Sequence, residues 1–205
     1  IAGSRLLLQR SIHDQFVERL IEVAKTAQIG DPMSTDTHVG PVTTPPQYQK
    51  ILDYIEIAKQ DGAKCVLGGQ AYTGPGAKGG QFVEPTIFTD VNNKMRIAQE
   101  EVFGPLLAVI PFDTEEDAIS IGNDVDFGLA AGVWTQDIGR AIRMSETLRV
   151  GTVWVNTYRA VSFTSPFGGY KRSGIGRESG LEAIKQYMQV KSVWIAQQTS
   201  PANPF

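Results

Sequence analysis

Cys65 is the one cysteine among 205 residues, and the only histidines are His13 and His38. A thiol becomes a nucleophile when a nearby base or positive charge favours the thiolate. Cys65 lies in Ala63-Lys64-Cys65-Val66-Leu67, an apolar stretch with no histidine close in sequence, so it reads as a small buried residue of a short strand. One cysteine and two scattered histidines offer no ligand set for zinc, and no metal site is expected. The carboxylates suggest more. Glu100-Glu101 run into Val102-Phe103-Gly104-Pro105, and Glu178 lies within a glycine-rich segment from Gly168 to Gly180. Taken singly, an acidic pair is a solvated face and a glycine-rich stretch is a turn. Gly174-Ile175-Gly176 is no dinucleotide fingerprint, because no suitable strand directly precedes it and the third glycine, Gly180, comes late.

These residues need elements to hold them. Leu6 to Leu8 reads as a strand. Ser11-Ile12-His13-Asp14 has the form of a capping box ahead of Phe16, Val17, Leu20, Ile21 and Ala24 at helical spacing, with Gly30-Asp31-Pro32 as the stop. Thr44-Pro45-Pro46 opens a second helix with an apolar face of Tyr48, Ile51, Leu52, Ile55 and Ala58. An exposed glycine-rich loop runs from Gly68 to Gly80. Phe82 to Phe88 and Leu106 to Phe112 are β-rich, and Thr114 with Asp117 forms a second capping box. Ala130 to Trp134 reads as strand, Ile138 to Leu148 as helix with Ile142 and Leu148 inward, and Val150 to Val155 as a buried strand. A helix from Leu181 to Met188 and a strand from Val190 to Ile195 follow, ahead of the polar tail Gln197 to Phe205. Strands alternating with helices predict an α/β fold around a largely parallel sheet flanked by helices. The last apolar strand has no later element to receive it, so it pairs either within its own sheet or with a second subunit.

Composition narrows the function classes. With 41% hydrophobic and 20% charged residues the chain can bury a core, and a net charge of −3 provides no basic field for a nucleic acid. No apolar run is long enough to span a membrane, and a single cysteine forms no internal disulfide, which suits a cytoplasmic setting. The first residues, Ile1 to Leu8, enter an apolar run without Met or a basic leader and read as a cut end, leaving targeting unassessed.

Three distant segments acquire meaning together: Gln99-Glu100-Glu101-Val102-Phe103-Gly104-Pro105, Gly151-Thr152-Val153-Trp154-Val155-Asn156, and Ser165-Pro166-Phe167-Gly168-Gly169-Tyr170-Lys171-Arg172-Ser173-Gly174-Ile175-Gly176-Arg177-Glu178. In that order and at those separations they resemble the aldehyde dehydrogenases, from Ile1 to about Ile195. The resemblance implies a catalytic-domain portion over residues 1–188 and an oligomerisation strand and tail over residues 189–205. It also implies NAD or NADP as coenzyme, a small aldehyde as substrate, and a homo-oligomer formed through Val190 to Ile195. Ala2-Gly3-Ser4-Arg5 resembles the stretch just after the family's nucleophilic cysteine, so a cysteine is expected immediately before Ile1 and no catalytic residue within this chain. In that chemistry a thiolate attacks the aldehyde carbonyl, hydride leaves for the nicotinamide, and water hydrolyses the thioester.

The resemblance carries roles onto single positions. Glu101 matches the glutamate that accepts from the nicotinamide-ribose hydroxyls, and Phe103 the aromatic beside the nicotinamide. Gln47 and Lys50 match positions that reach the adenine-side ribose. Phe167 matches a wall of the aldehyde tunnel, and Val161 stands in the variable loop Arg159 to Phe163 where another ring is frequent. Glu178 matches a glutamate some members use for proton movement, and Lys171 reads as structural. The chain alone, without nucleophile, general base or coenzyme domain, is expected to be inactive. A non-catalytic oligomerisation module, or an acylating or phosphate-transferring relative, is the alternative.

Overall fold

A strand covered on both faces reads as a continuous apolar run, and Leu106 to Phe112 is such a run. In the computed structural model, which describes residues 3–197, the chain begins with β1 (Arg5–Gln9), α1 (His13–Ala24), α2 (Pro45–Gln60), β2 (Lys64–Leu67) and β3 (Thr86–Thr89). It continues through α3 (Arg96–Gln99), β4 (Leu106–Phe112), α4 (Glu115–Asn123), β5 (Phe127–Gly128) and β6 (Ala130–Val133). The last elements are α5 (Ile138–Thr147), β7 (Thr152–Val155), β8 (Tyr170–Lys171) and a 3-10 turn over Leu181–Tyr187.

The main sheet has the order β1-β4-β3-β2, with β4 parallel to both β1 and β3 and β2 antiparallel at the edge. Side chains alternate faces along each strand. Leu106, Ala108 and Ile110 face one core with Phe88, Ile51, Ile55 and Ala58. Val109 and Ile87 face the other, with Leu8 and Val17. Thus α2 covers one face and α1 the other, which is why β4 is apolar at successive positions. A parallel pair, β6 and β7, sets Gly132 opposite Trp154, and an antiparallel pair joins β5 to β8. The fold is α/β with a mixed, largely parallel sheet.

Several local expectations need correction. Ser11 forms no cap: Arg10–Ile12 already turns as a 3-10 segment, and α1 starts behind Ile12 without a side-chain cap. The helix also stops at Ala24, well before Gly30. By contrast, Thr114 and Asp117 exchange both bonds of the capping box, at 3.1 and 3.0 Å. In α5 the buried residues are Ala141 and Met144, while Ile142 is half exposed. The strand expected from Val150 is shorter, and within β7 only Trp154 is buried. In place of the helix expected over Leu181 to Met188 there is a 3-10 turn over Leu181–Tyr187, with Met188 extended.

Residues 190–195 form no strand, and Val190, Val193, Trp194 and Ile195 are exposed. A strand exists only by its ladder partner, and none among the described residues pairs with this stretch. Ile1, Ala2 and residues 198–205, which include most of the expected polar tail, lie outside the described residues. Among the described residues no helix is long and apolar enough to cross a membrane.

Candidate functional site

On α2, Gln47, Lys50 and Tyr54 are spaced to share one face of the helix. All three reach the extended strap that follows α3. The Gln47 amide donates to the carbonyls of Val102 and Phe103 at 2.7 and 3.0 Å, and Lys50 Nζ to the carbonyl of Glu101 at 2.7 Å. The Tyr54 hydroxyl donates to the Glu100 carboxylate. About two turns of helix thus read four successive residues of the strap.

Along the strap the side chains alternate. Glu100 and Val102 turn inward, Val102 into the core with Ile51, while Glu101 and Phe103 turn outward. Phe103 is 75% exposed and holds a left-handed backbone (φ 54°). Gly104 follows because the strap passes directly over Ile51: a Cβ there would come within 2.7 Å of that side chain. Arg96 grips Glu100 with two bonds of 3.0 Å, and these, with the Tyr54 hydroxyl, hold the Glu100 carboxyl below the usual carboxylate range. Tyr54 is pushed up, chiefly by burial. The Glu101 carboxylate makes no hydrogen bond or ion pair among the described residues. Phe103 lines a hollow of about 270 Å³ and of mixed polarity together with Val39, Val42, Gln47, Ile51 and Val83.

Phe167 and Glu178 meet elsewhere. Each donates its backbone N–H to the other's carbonyl at 2.7 Å, closing residues 167–178 into a loop. Arg177 stitches that loop from inside, donating to the carbonyls of Gly169 and Gly176, both at 2.9 Å. Val161 is exposed, just past the point where Trp154 Nε1 holds the carbonyl of Ala160 at 2.7 Å. Asn156 pins the start of the same segment through both bonds to the backbone of Thr135, at 2.9 and 2.8 Å. No hydrogen bond among the described residues joins this second group to the strap.

Tyr158 escapes the sequence reading, in which Trp134 and Trp154 figure only as parts of a strand and of the family motif. Tyr158 stacks edge-on against Trp154 at 5.5 Å and tilted against Trp134 at 6.1 Å, and a Cβ on Gly3 would approach its hydroxyl to 2.9 Å. Trp134 arrives there through the β6–β7 pairing, which no local pattern announces. Tyr54 and Arg96 were missed for the same reason.

Cys65 is half-buried, its thiol on the carbonyl of Leu67 at 3.3 Å and pushed up by burial. That is the opposite of nucleophile activation. His13 bonds Asp14, and His38 accepts from the backbone of Gln28. Lys171 donates to the carbonyls of Asn123 and Val125, a structural use. Among the described residues no group of three His, Cys, Asp or Glu could hold a metal ion.

The sequence profile of the Aldehyde dehydrogenase family matches residues 1–193. The chain is 48% identical to betaine aldehyde dehydrogenase of Mesorhizobium japonicum over 193 residues, 94% of this chain and 40% of the relative. A betaine aldehyde dehydrogenase from Staphylococcus aureus, solved in complex with NAD+, superposes with a TM-score of 0.94 at 42% identity, over 100% of this chain and 42% of that one. Indole-3-acetaldehyde dehydrogenase of P. syringae, solved with NAD+ and IAA, gives a TM-score of 0.90 at 48% identity, over 95% and 39%. The chain spans about 40% of the length of the relatives it matches.

Proposed function

Because the chain belongs to the aldehyde dehydrogenase family, we propose that the protein carrying it oxidises a small aldehyde to a carboxylic acid with NAD or NADP. The observation that carries this reading is the strap: a Glu101 carboxylate with no partner among the described residues and an exposed ring at Phe103, both on backbone that α2 braces by hydrogen bonds. An ionised carboxylate with two accepting oxygens suits a pair of ribose hydroxyls, and a flat apolar ring suits a nicotinamide face. Gln47 retains its amide oxygen and Lys50 two further N–H donors, so each can also meet the adenine-side ribose while bracing the strap. When bound, the coenzyme supplies a hydride acceptor.

Phe167 and Val161 form part of the aldehyde passage in this reading, and Glu178, in register with Phe167, is positioned to move protons at its edge. The nucleophile and the general base come from outside these residues, since Cys65 is blunted by burial. The full-length enzyme is expected to reduce NAD+ or NADP+ in an aldehyde-dependent manner, followed by absorbance. The 205-residue chain alone should give no such signal. Reduction by the chain alone, abolished by Cys65→Ala, would sink this assignment of roles.

Val190 to Ile195 is proposed as the stretch that joins a second copy by strand pairing, with Trp194, 94% exposed, as its anchor. Removing residues 190–205 should leave monomer or aggregate in light scattering. An intact chain that stays monomeric at micromolar concentration would contradict this.

A further inference from the structure

We propose that Glu100 is a positioning residue which, held by Arg96 and Tyr54, fixes the face of the strap from which Glu101 projects; this rests on the coenzyme reading of Glu101. Consecutive residues of an extended segment point to opposite sides, and a slip of one position exchanges them. Glu100 and Glu101 are chemically the same, so nothing in their own side chains decides which faces α2 and which faces outward. The decision is made by what waits on the inner side. Arg96 offers a fork that matches one carboxylate in two bonds of 3.0 Å, and Tyr54 adds a third donor to the same group. Gly104 against Ile51 and Val102 in the core tie down the far end of the strap, but Val102 has no polar means of rejecting a glutamate one position away. The guanidinium of Arg96 also stacks over the Tyr54 ring, 5.5 Å from its centroid, so the two donors hold each other in place.

The Arg96–Glu100 pair is about half exposed and adds little to global stability. A small local preference nevertheless suffices here, because about 1 kcal/mol changes the population of a pose about fivefold. The expected signature is therefore weakened coenzyme binding with folding nearly unchanged.

The test uses the full-length enzyme and the fluorescence of bound NADH or NADPH. Glu100→Gln should raise the dissociation constant about fivefold, and Tyr54→Phe, which keeps the packed ring, should move it in the same direction. The double variant Glu100→Gln/Glu101→Gln should bind no more weakly than Glu101→Gln alone, since Glu100 acts only through its neighbour. Unchanged binding in both single variants, or additive losses in the double, would overturn the proposal. If Glu100→Gln does not fold, Tyr54→Phe and its double with Glu101→Gln decide alone. Wild-type enzyme that binds neither nucleotide would remove the coenzyme reading itself, an outcome distinct from wild-type binding that the variants leave untouched.

Discussion

Gly151→Ala is expected to destabilise the protein by about 3 kcal/mol or more, among the largest effects of any single methyl group in this chain. Gly151 donates its N–H to the carbonyl of Gly128 at 3.1 Å, just ahead of β7, and the glycine-rich segment crosses directly over it. A Cβ at Gly151 would overlap the carbonyl oxygen of Gly168, and one at Gly168 would overlap that of Gly176. These obstacles are main chain, so no rotamer change relieves them. Moving the segment would also pull Phe167, the neighbour of Gly168, out of its bridge with Glu178. Gly174→Ala provides the control. Nothing lies within 4 Å of its missing Cβ, and its cost is confined to a left-handed backbone at φ 95°, about 1 to 2 kcal/mol. Urea unfolding of the two variants should separate them clearly. Equal midpoints would mean that the crossing yields more easily than its geometry implies.

Glu101→Gln in the full-length enzyme is expected to lower kcat/KM by about tenfold or more, with little change in Tm. The substitution retains size and removes the charge, so it weakens hydrogen bonds of the charge-assisted kind, each worth about 1.5 to 3 kcal/mol. The carboxylate has no protein partner among the described residues, and the carbonyl of the same residue keeps its bond from Lys50. Folding should therefore hardly register the change. A lowered Tm together with wild-type kinetics in the surviving protein would assign Glu101 a structural role.

How far the sequence anticipated the structure depended on how local each cause was. Leu106 to Phe112 was legible as a β-rich run because burial on both faces writes apolar residues along most of its length, whereas Val150 to Val155, expected as a buried strand, buries only Trp154. Thr114 was legible as a cap because its partner, Asp117, lies three residues on. The same pattern at Ser11 misled, since the backbone already turns over Arg10–Ile12 and α1 begins behind Ile12, so that Ser11 does not stand at the N-cap. At the candidate site, Glu101, Phe103, Gln47 and Lys50 were singled out by resemblance and are brought together here. The bonds that unite them span more than fifty residues of sequence, which no periodicity can report. Tyr54 and Arg96 acquire their significance only from that pairing. Val190 to Ile195 has strand propensity in full, but propensity supplies no ladder.

The nest around Tyr158 gives this region a built-in optical gauge. Of the three tryptophans, Trp154 is the buried one, at 5% exposure, whereas Trp134 and Trp194 are largely open to solvent. Its indole N–H is the same group that holds the carbonyl of Ala160. Release of the segment around Val161 would therefore hydrate that one ring and shift its emission to longer wavelength, with Tyr158 close enough to pass excitation to it. Replacing Trp134 and Trp194 by phenylalanine would leave a single emitter, so that opening and closing beside Val161 could be followed in real time without attaching a foreign dye.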